Sequence, residues 1–383
     1  MRTILPGATI GLLGGGQLGR MTGMAARSLG YDVQVLDPDP ECPARGIASR
    51  TITARFDDAD AAASLARECD VVTLEIEQIA APALDAVGAH APLCPNAPAI
   101  IVVQDRIRQR TWLSEHGFPV GAYRIARSAE EARDATRDLG RSILKAPHGG
   151  YDGRGQVRVA SVDESERGWR TLGSGPVVIE QFLELELELS VMVARRADGT
   201  AAVFPQAVNH HVAGVLDWSI CPGPVTPSVA QQAAAIGRGI ADALDIVGLI
   251  AVELFLTTDG RLLVNELAPR PHNTYHHTER GCSTSQFEQF VRAICGLPLG
   301  SVDVVRPAAI ANLLGDLWRE GELPDVAAAL EVPDVRLHLY GKTSARPGRK
   351  MGHLSAVGAS TDEALAKVLE ARRRLAADAP RRT

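Results

Sequence analysis

Residues 251–266 read AVELFLTTDGRLLVNE, and this stretch decides the fold of the central part of the chain. Two runs of strand-forming apolar residues flank Asp259-Gly260, a dipeptide that favours a two-residue turn with both residues at positive φ. The pattern predicts a β-hairpin in which Thr258 faces Arg261. Counting outward from that turn places Glu253 directly opposite Glu266.

This pairing would bring two carboxylates together on one face of the hairpin. The Cβ atoms of opposed residues lie roughly 5 Å apart, and like charges in such positions destabilise a sheet. Both strands are otherwise strongly apolar, which favours burial over a solvated acidic face. A hard divalent cation with oxygen ligands would turn the repulsion into a binding site. We therefore predict that Glu253 and Glu266 bind Mg²⁺, with Mn²⁺ as the alternative ion.

A glycine-rich segment upstream, GGYDGRGQ at residues 149–156, lies between two short predicted strands. Its four glycines in eight residues offer backbone amides that can wrap phosphate oxygens, and Arg154 adds positive charge. Lys145, at the end of the preceding strand, can reach the same phosphates. Such a segment is often only a loop, but beside an opposed glutamate pair it points to a nucleoside triphosphate with Mg²⁺.

The N-terminus carries a dinucleotide-like pattern. Gly14, Gly16 and Gly19 fit G-x-G-x-x-G between a predicted strand and a predicted helix, and Asp37 ends the next strand. The glycines would let an anionic group approach the helix N-terminus, which predicts a phosphate site. An NAD-dependent dehydrogenase is the alternative, but the rest of the chain supplies no hydride chemistry and a better ATP site.

The hydrophobic pattern divides the chain into three regions. Strands at 9–13, 33–36, 71–76 and 91–94 alternate with helices in the first hundred residues, which indicates a parallel α/β sheet. A helix at 105–116 leads into successive strands from 142 to 204, then a helix at 228–244 and the hairpin. Beyond about residue 301 the pattern predicts a mixed β/α cap that ends in a helix at 361–376.

Two basic segments follow the hairpin. Arg270-Pro271-His272-Asn273 comes just after Glu266 and can hold an anionic substrate near the γ-phosphate. RPGRKMGH at 346–353 is a Pro-Gly turn dense in positive charge, which suits a phosphate or a carboxylate. An exposed basic turn is the alternative interpretation of this second segment.

The histidines after the hairpin raise a zinc alternative. His272 and His276 have i, i+4 spacing, with His277 and Glu279 close by. The intervening residues are not those of H-E-x-x-H, and Pro271 makes a regular helix doubtful there, so we expect no zinc site.

Composition limits the partners of the chain. The 383 residues carry a formal net charge of −6, and basic clusters occur at 372–374 and 381–382, so we expect no nucleic-acid partner. We find no apolar run long enough for a membrane span and no signal-peptide core after the first residues. The six cysteines are scattered without a C-x-x-C pair, which predicts free thiols in a reducing cytoplasm.

These motifs, in this order, resemble the ATP-grasp superfamily, and more narrowly the N5-carboxyaminoimidazole ribonucleotide synthetase family of purine biosynthesis. The glutamate pair is shared by all ATP-grasp ligases, whereas the first and last motifs are specific to the narrower family. The matching stretches span nearly the whole chain. They are GGGQLGRM at 14–21, TLEIEQI at 73–79, GGYDGRGQ at 149–156, VNELAPRPHN at 264–273, STSQFEQFVRA at 283–293 and YGKTSARPGRKMGHL at 340–354.

The resemblance implies a fold and a reaction. The expected domains are an N-terminal parallel α/β (pre-ATP-grasp) domain at 1–104, an ATP-grasp domain of two α+β lobes at 105–300, with a mobile lobe at about 115–185, and a small C-terminal β-rich cap at 301–383. In the family, bicarbonate attacks the γ-phosphate of ATP to give carboxyphosphate. This intermediate delivers CO₂ to the amine of 5-aminoimidazole ribonucleotide. The resemblance also implies a homodimer.

Site residues follow from the same resemblance, motif by motif. Glu253 and Glu266 would bind Mg²⁺. The expected ATP-binding residues are Arg106, Lys145, Gly150, Gly153, Gln156, Glu180, Gln181, Phe182, Leu183, Glu188, His211 and Asn265. Among them Glu180, with the Phe182-Leu183 backbone, would hold adenine, and Glu188 the ribose. The expected catalytic residues, in the bicarbonate and CO₂ pocket, are Tyr151, Asp152, Arg154, Arg270, His272 and Lys350. The ribonucleotide would contact Gly16, Gln17, Leu18, Glu75, Asn273, Lys342 and Arg349.

The chain departs from the family pattern in three places. Arg110 stands where the family has lysine, Val208 where a glutamate is frequent, and Thr274-Tyr275 replaces Ser-Gly. A tyrosine at a glycine position would be strained at positive φ, so we expect an ordinary backbone there with the ring packed beside the pocket. Another ATP-grasp ligase with a different amine acceptor is the alternative function. A nucleotide-sensing protein without catalysis is a third, which the retained glutamate pair disfavours.

Overall fold

The structure, a computed structural model, describes residues 2–150, 155–318 and 324–376. Three sheets organise this part of the chain: a parallel sheet at the N-terminus, a small antiparallel sheet, and a large sheet with strands from residues 185 to 357. The predicted site residues Tyr151, Asp152, Gly153 and Arg154 lie outside the described residues.

The N-terminal region forms the predicted parallel α/β layer, with strand order β3-β2-β1-β4. Ile10 and Leu12 pack into one apolar cluster, while Leu13 and Leu36 pack into another, so both faces of the sheet are buried. Its elements are β1 (Thr9–Leu13), α1 (Gln17–Ser28), β2 (Asp32–Asp37), β3 (Arg50–Thr53), α2 (Ala59–Arg67), β4 (Val71–Leu74) and α3 (Ala81–Gly88).

The strand predicted at 91–94 is wrong as a regular strand. Leu93 forms a single parallel bridge with Val72 beside β4. Pro92 and Pro95 lack the backbone N–H groups that a longer ladder needs. The sheet therefore ends at this edge.

Two capped helices lead out of this region. The Asn96 side chain accepts a hydrogen bond from the Ala99 N–H at the start of α4 (Ala97–Val103). The Asp105 side chain accepts from the Ile107 N–H at the start of α5 (Arg106–Glu115), which brings Arg106 to the first position of the helix. The helix predicted at 105–116 is thus confirmed.

The small antiparallel sheet has strand order β5-β8-β6-β7. Leu144 and Ile179 from its strands pack against Ala132 and Ala135. Its elements are β5 (Tyr123–Ala126), α6 (Ala129–Leu139), β6 (Ser142–Lys145), β7 (Gln156–Val159), α7 (Val162–Thr171) and β8 (Val177–Gln181). This sheet lies within the predicted mobile lobe, whose limits and mobility stay predictions.

The large sheet has strand order β14-β13-β9-β11-β12-β15-β17-β16, with β10 paired to β9. Its strands are β9 (Leu185–Arg195), β10 (Ala201–Val203), β11 (Ala207–Val212), β12 (Val215–Cys221), β13 (Gly248–Thr257), β14 (Leu262–Ala268), β15 (Ala308–Leu314), β16 (Val335–Leu339) and β17 (Lys350–Val357). The helices are α8 (Pro227–Ala243), α9 (Thr278–Gly281), α10 (Gln286–Ile294), α11 (Val326–Leu330) and α12 (Thr361–Leu375). The C-terminal β-rich cap is present, and its three strands extend the sheet that holds the hairpin.

The hairpin forms, but its turn differs from the predicted one. Thr257 pairs with Arg261 across a three-residue loop in which Gly260 alone has positive φ (81°). The predicted pairing of Thr258 with Arg261 is therefore wrong. A β-bulge at Asn265 shifts the register back by one residue, so that Glu253 does pair with Glu266.

No helix in the described ranges is long and apolar enough to cross a bilayer. The six cysteines are free thiols, and five of them are buried, as the scattered spacing predicts.

Candidate active site

One face of the large sheet carries a row of polar side chains. Strand pairing places Glu253 on β13 opposite Glu266 on β14 and also opposite Ser190 on β9. Asn209 on β11 donates to Ser190 and pairs with Ser219 on β12. The row thus crosses five adjacent strands and ends, on the hairpin, in two carboxylates.

The carboxylate end of this row has the donors that Mg²⁺ requires. The bulge brings Asn265 to the same face, where its amide nitrogen lies 3.3 Å from Glu253 Oε2. Burial, together with the charges of Glu266 and Glu188, raises the pKa of Glu253 to about 7. A divalent cation would neutralise this buried excess of negative charge. The two opposed carboxylates therefore fit Mg²⁺, whereas the amide oxygen of Asn265 faces Lys145 (3.5 Å).

The region between the small sheet and the hairpin is called the cleft below. The carboxylate pair lies at one end of it, and the other end is built around Glu180 on β8. Arg110 Nε and Lys145 Nζ each lie 2.6 Å from one of its two carboxylate oxygens. Burial opposes ionisation, but the two cations prevail and lower the pKa of Glu180 to about 2. Lys145 Nζ also lies 3.5 Å from Asn265 Oδ1, so this lysine connects the Glu180 end to the carboxylate pair.

The segment that joins β8 to β9 contains the other residues predicted to hold adenine. The Phe182 N–H donates to the Arg141 carbonyl, and the Arg141 guanidinium lies 4.4 Å from the centre of the Phe182 ring. Gln181 is exposed at the end of β8, and Leu183 is half-buried. Their contacts with adenine stay predictions.

Glu188 and His211 form a pair on the polar face of the sheet, where Glu188 Oε2 lies 2.7 Å from His211 Nδ1. Burial opposes protonation of His211, but the hydrogen bond to Glu188 and the charge of Glu253 raise its pKa. The predicted contact of Glu188 with ribose would therefore involve a carboxylate that already has one donor.

Arg106 lies between the glycine-rich segment and the hairpin. Its guanidinium donates to the Ala146 carbonyl (3.0 Å) and to the Gly150 carbonyl (2.5 Å), and it lies 4.0 Å from Glu266. Gln156, at the other end of the segment, pairs with Lys145 across β6 and β7. The positions of these residues agree with phosphate binding, which stays a prediction for each of them.

Arg270 is held by a partner that the sequence pattern did not reveal. Its guanidinium makes a two-point contact with Glu77, at 2.6 and 3.2 Å. Burial opposes the charge of Arg270, but Glu77 raises its pKa further, so the side chain stays a fixed cation. Glu77 lies in the TLEIEQI motif, three residues beyond β4.

His272 lies beside Glu253, with its Nε2 at 3.5 Å from Glu253 Oε1. Burial, reinforced by the charges of Arg270 and Lys350, lowers its pKa well below the ordinary value, so the imidazole is neutral. The backbone of His272 is clamped by Gln286, which accepts from its N–H (2.8 Å) and donates to its carbonyl (3.0 Å).

The glycine turn at the N-terminus is occupied by the protein itself. Glu75 accepts hydrogen bonds from the Gly16 N–H (2.6 Å) and the Gly19 N–H (2.7 Å), and Asp37 accepts from the Gly15 N–H (2.7 Å). A Cβ atom at Gly16 would lie 2.3 Å from Glu75 Oε1, so glycine there admits a carboxylate of this chain. These amides are therefore engaged by carboxylates of the chain, which leaves no free N–H group among them for an NAD pyrophosphate. Contacts of Gly16 and Glu75 with the ribonucleotide stay predictions.

Two other predicted substrate residues meet where the N-terminal layer touches the large sheet. Gln17 Nε2 lies 3.5 Å from Asn273 Oδ1. Leu18 is buried against Phe287 and Tyr340. Contact of this corner with the ribonucleotide stays a prediction.

The basic C-terminal segment turns back on itself. Lys342 Nζ donates to the Lys350 carbonyl over 2.7 Å, and Arg349 donates to the Ser344 carbonyl and hydroxyl. Lys350 begins β17 and pairs with Leu314 at a bulge. The positive charge of Lys350 lowers the pKa values of both Glu253 and His272, so Lys350 lies near the carboxylate end of the cleft.

The four side chains considered for zinc, those of His272, His276, His277 and Glu279, do not converge on one point. Among the described residues, a group that could approach a metal is instead Glu279, His338 and His353, with ligand atoms within 4.8 Å of one another. The His338 and His353 rings stack 4.5 Å apart and 8° from parallel. An ion in the plane of one ring lies outside the plane of the other, so both lone pairs cannot reach it. This cluster is a ring stack and not a chelate.

Tyr275 adopts the ordinary backbone conformation that we expected, but the ring lies in the core. It is fully buried, and its hydroxyl donates to the carbonyls of Ser190 (2.8 Å) and Pro205 (3.1 Å). The ring contacts Phe204 edge-on, with the ring centres 5.8 Å apart. The substitution is therefore a packing change behind the site.

Comparison with known families covers most of the chain. Residues 7–104 match the ribonucleotide synthetase pre-ATP-grasp domain, residues 111–287 the ATP-grasp domain, and residues 308–367 the phosphoribosylaminoimidazole carboxylase C-terminal domain. The predicted fold class is thereby confirmed, whereas the predicted domain limits stay predictions.

The chain is also similar to individual enzymes. It is 41% identical over 358 residues to the N5-carboxyaminoimidazole ribonucleotide synthase of Brucella melitensis, which covers 93% of this chain and 98% of the relative. A solved N5-carboxyaminoimidazole ribonucleotide synthetase in complex with ADP superposes with a TM-score of 0.91 at 39% identity, over 97% of this chain and 98% of that one. The Aspergillus clavatus N5-carboxyaminoimidazole synthase in complex with ADP and 5-aminoimidazole ribonucleotide gives 0.88 at 31% identity, over 96% and 98%.

The three-part fold and the carboxylate-ended cleft define an ATP-grasp ligase. More narrowly, the chain belongs to the N5-carboxyaminoimidazole ribonucleotide synthase family.

Proposed function

We propose that this chain uses ATP and bicarbonate to carboxylate 5-aminoimidazole ribonucleotide, giving N5-carboxyaminoimidazole ribonucleotide, ADP and phosphate. Membership of the synthase family supports the nucleotide and the acceptor. We further propose that Mg²⁺ is the metal, that the protein works as a homodimer, and that it acts in the cytoplasm.

The observation that carries the proposal is the placement of Glu253 opposite Glu266, with both carboxylates partly exposed to the cleft. The pKa of Glu253 rises to about 7 because burial and neighbouring carboxylates disfavour its charge. Mg²⁺ held by Glu253 and Glu266 would neutralise charge on the phosphates of ATP.

Fixed cations beside this pair suit the anionic intermediate. Glu77 holds Arg270 in place, and the charge of Lys350 reaches the same end of the cleft. Such preorganised charges stabilise a transferring phosphoryl group without reorganising during the reaction. Bicarbonate and carboxyphosphate would therefore lie among Arg270, His272 and Lys350.

At the other end, Glu180 stays ionised because Arg110 and Lys145 pair with it. A carboxylate with a fixed charge is a constant acceptor for an amino group, which suits the 6-amino group of adenine. The distance between the two ends is bridged by Lys145, so ATP would lie along this lysine.

The proposal is tested by following both products in one assay. We expect ADP and N5-carboxyaminoimidazole ribonucleotide to form in a one-to-one ratio when ATP, Mg²⁺, bicarbonate and 5-aminoimidazole ribonucleotide are all present. Omission of Mg²⁺ should stop both. ADP formation that responds to a different amine, and not to this ribonucleotide, would establish the alternative ATP-grasp ligase instead.

A further inference from the structure

A continuous chain of hydrogen bonds lies behind the His272 imidazole. The Asn209 amide nitrogen donates to Ser190 Oγ (3.2 Å), and the Ser190 hydroxyl donates to Thr274 Oγ1 (3.1 Å). Thr274 Oγ1 lies 2.8 Å from His272 Nδ1. Ser190 and Thr274 are 0% exposed and Asn209 is 6% exposed, so bulk water cannot replace these partners.

The donors in this chain all face the same way. The Ser219 hydroxyl lies within donor distance of two acceptors, Asn209 Oδ1 (2.9 Å) and the Thr274 carbonyl (3.1 Å). The shorter contact takes its single proton to Asn209 Oδ1, which turns the amide nitrogen of Asn209 towards Ser190. A serine or threonine hydroxyl has a single proton to donate. Since Ser190 donates its proton to Thr274, the Thr274 hydroxyl is left to donate to His272. Nδ1 of His272 is therefore an acceptor, and its ring proton lies on Nε2.

The other side of the ring favours the same tautomer. His272 Nε2 lies 3.5 Å from Glu253 Oε1. When Glu253 is ionised, its carboxylate attracts an N–H group and repels a nitrogen lone pair, so the proton is then stabilised on Nε2. Strand pairing of Ser190 with Glu253 sets this geometry, because it fixes the hydroxyl chain and the carboxylate on one face of the sheet.

We infer that Thr274 is a positioning residue that holds His272 in its Nε2–H form, so that His272 donates a hydrogen bond to a substrate oxygen. The donor role rests on the proposed function, in which that oxygen belongs to bicarbonate or to the carboxyl group in transfer. A ring nitrogen that already carries its proton cannot take one from the acceptor amine. His272 is thus a hydrogen-bond donor and not the base of the reaction.

The tautomer is tested directly, without turnover. Long-range ¹H–¹⁵N correlation spectra of protein with labelled histidine should show an Nε2–H signal for His272, identified by its loss in His272→Gln. Thr274→Ser keeps the hydroxyl and should keep that signal, whereas Thr274→Val should lose the single-tautomer pattern. An Nδ1–H tautomer in the wild type would overturn the inference.

A matched control distinguishes loss of the hydrogen bond from Thr274 to His272 from the general effect of losing a buried hydroxyl. Thr278 is as fully buried as Thr274; its hydroxyl donates to the Tyr275 carbonyl (2.6 Å) and accepts from the Gln286 N–H (2.9 Å), so it is not part of the hydrogen-bond chain to His272 Nδ1. Thr278→Val should lower the melting temperature and leave the His272 tautomer unchanged. A tautomer change in Thr278→Val as large as in Thr274→Val would count against a specific role of Thr274.

Kinetics tests the donor role. Thr274→Val should lower the rate of carboxylation by about 10- to 100-fold, with the KM for ATP within about twofold, and Thr274→Ser should stay within about twofold of wild type. His272→Gln retains an amide N–H and should exceed His272→Ala by about tenfold or more. Equal inactivation of the two His272 variants would overturn the donor role. If the wild type fails to carboxylate the ribonucleotide, the proposed function is wrong. The tautomer spectrum still tests whether Thr274 holds His272 in its Nε2–H form.

Discussion

Glu180, which is buried, and Glu253, which is half-buried, are two carboxylates of one cleft whose pKa values are shifted in opposite directions. Arg110 and Lys145 pair with Glu180, and its pKa is lowered to about 2. Glu253 lies opposite a second carboxylate, Glu266, and its pKa is raised to about 7. The charge of Glu180 is neutralised by two paired cations, whereas His211 and Lys350 offset the charge of Glu253 only in part and leave the rest for a ligand to neutralise.

The difference separates recognition from metal binding. A carboxylate with internal cations keeps one charge state across the physiological range, so it presents constant hydrogen-bond acceptors. A carboxylate that is only partly compensated binds either a proton or a metal cation, so proton binding and metal binding compete for it. Because Lys145 lies 2.6 Å from Glu180 and 3.5 Å from Asn265, a change at either end of the cleft reaches the other.

The largest effect should come from Glu253→Gln. We expect turnover at saturating Mg²⁺ to fall by about 10³-fold or more, because the variant loses a charged metal ligand. Stability should move in the opposite direction. Folding raises the pKa of Glu253 from 4.5 to about 7, so its ionisation costs stability as the pH rises through this window. At pH 8 without Mg²⁺, the variant should unfold with a free energy about 1–3 kcal/mol higher than wild type.

Glu186→Gln is the matched control for this prediction. Glu186 is exposed on β9, a strand that pairs with the hairpin, and should change neither turnover nor urea unfolding. A Glu253→Gln protein that is less stable than wild type at pH 8, or that keeps a tenth of the activity, would mean that His211 and Lys350 already compensate the charge of Glu253 in full.

Glu180→Gln should give the opposite sign of stability change. It leaves Arg110 and Lys145 as buried cations without their carboxylate, at a cost of about 3–5 kcal/mol at pH 7. The lowered pKa of Glu180 supplies stability that is present above pH 4.5 and lost as the pH falls towards 2, so the difference from wild type should shrink in acid. Urea unfolding at pH 7 and at pH 4 measures the loss of stability and its decrease in acid. The KM for ATP should also rise, by about tenfold or more.

A second substitution checks the cause of that loss. Adding Arg110→Met to Glu180→Gln removes one of the two stranded cations and should recover part of the lost stability. Equal stability of the single and double variants would show that the cost comes from lost packing and not from uncompensated charge.

The hairpin shows what a local pattern can predict. Alternation and the Asp-Gly signal place both strands and bring Glu253 opposite Glu266, as the structure confirms. The turn is nevertheless one residue longer than predicted, and the bulge at Asn265 compensates for it. A bulge depends on strand twist and on what its side chain contacts, and neither is encoded in the period of the apolar residues.

Long-range partners lie beyond any such pattern. Glu77 and Arg270 are 193 positions apart, and Arg110 and Glu180 are 70 apart. The motif around Glu77 could be recognised in the sequence. The periodicity of apolar residues, however, does not predict which distant loops contact each other. The N-terminal glycine turn makes the same point, because strand, turn and helix were predicted correctly while its occupant is Glu75 of the same chain.

The smallest effect should come from Arg110→Lys, which keeps the charge beside Glu180 and removes the forked guanidinium. Arg110 Nε lies 2.6 Å from Glu180 Oε1, and its Nη1 lies 3.1 Å from the Val264 carbonyl. One side chain thus ties β8 of the small sheet to β14 of the large sheet. A lysine ammonium can pair with Glu180 but cannot also span to Val264, so the contact between the sheets should weaken.

We therefore expect Arg110→Lys to raise the KM for ATP about two- to fivefold, with kcat within about twofold and about 0.5–1.5 kcal/mol less stability. Steady-state kinetics at varied ATP and urea unfolding measure these quantities. Arg124→Lys is the control, because Arg124 is exposed, lies 3.8 Å from Asp138 and should change neither. The split between KM and kcat decides the interpretation. Arg110 acts through Glu180 and through the contact between the two sheets, so it should affect ATP binding and not the chemical step. A fall in kcat larger than the rise in KM would place Arg110 in the chemical step. The assignment of Glu180 to nucleotide recognition and of Glu253 to metal binding would then lose its physical basis.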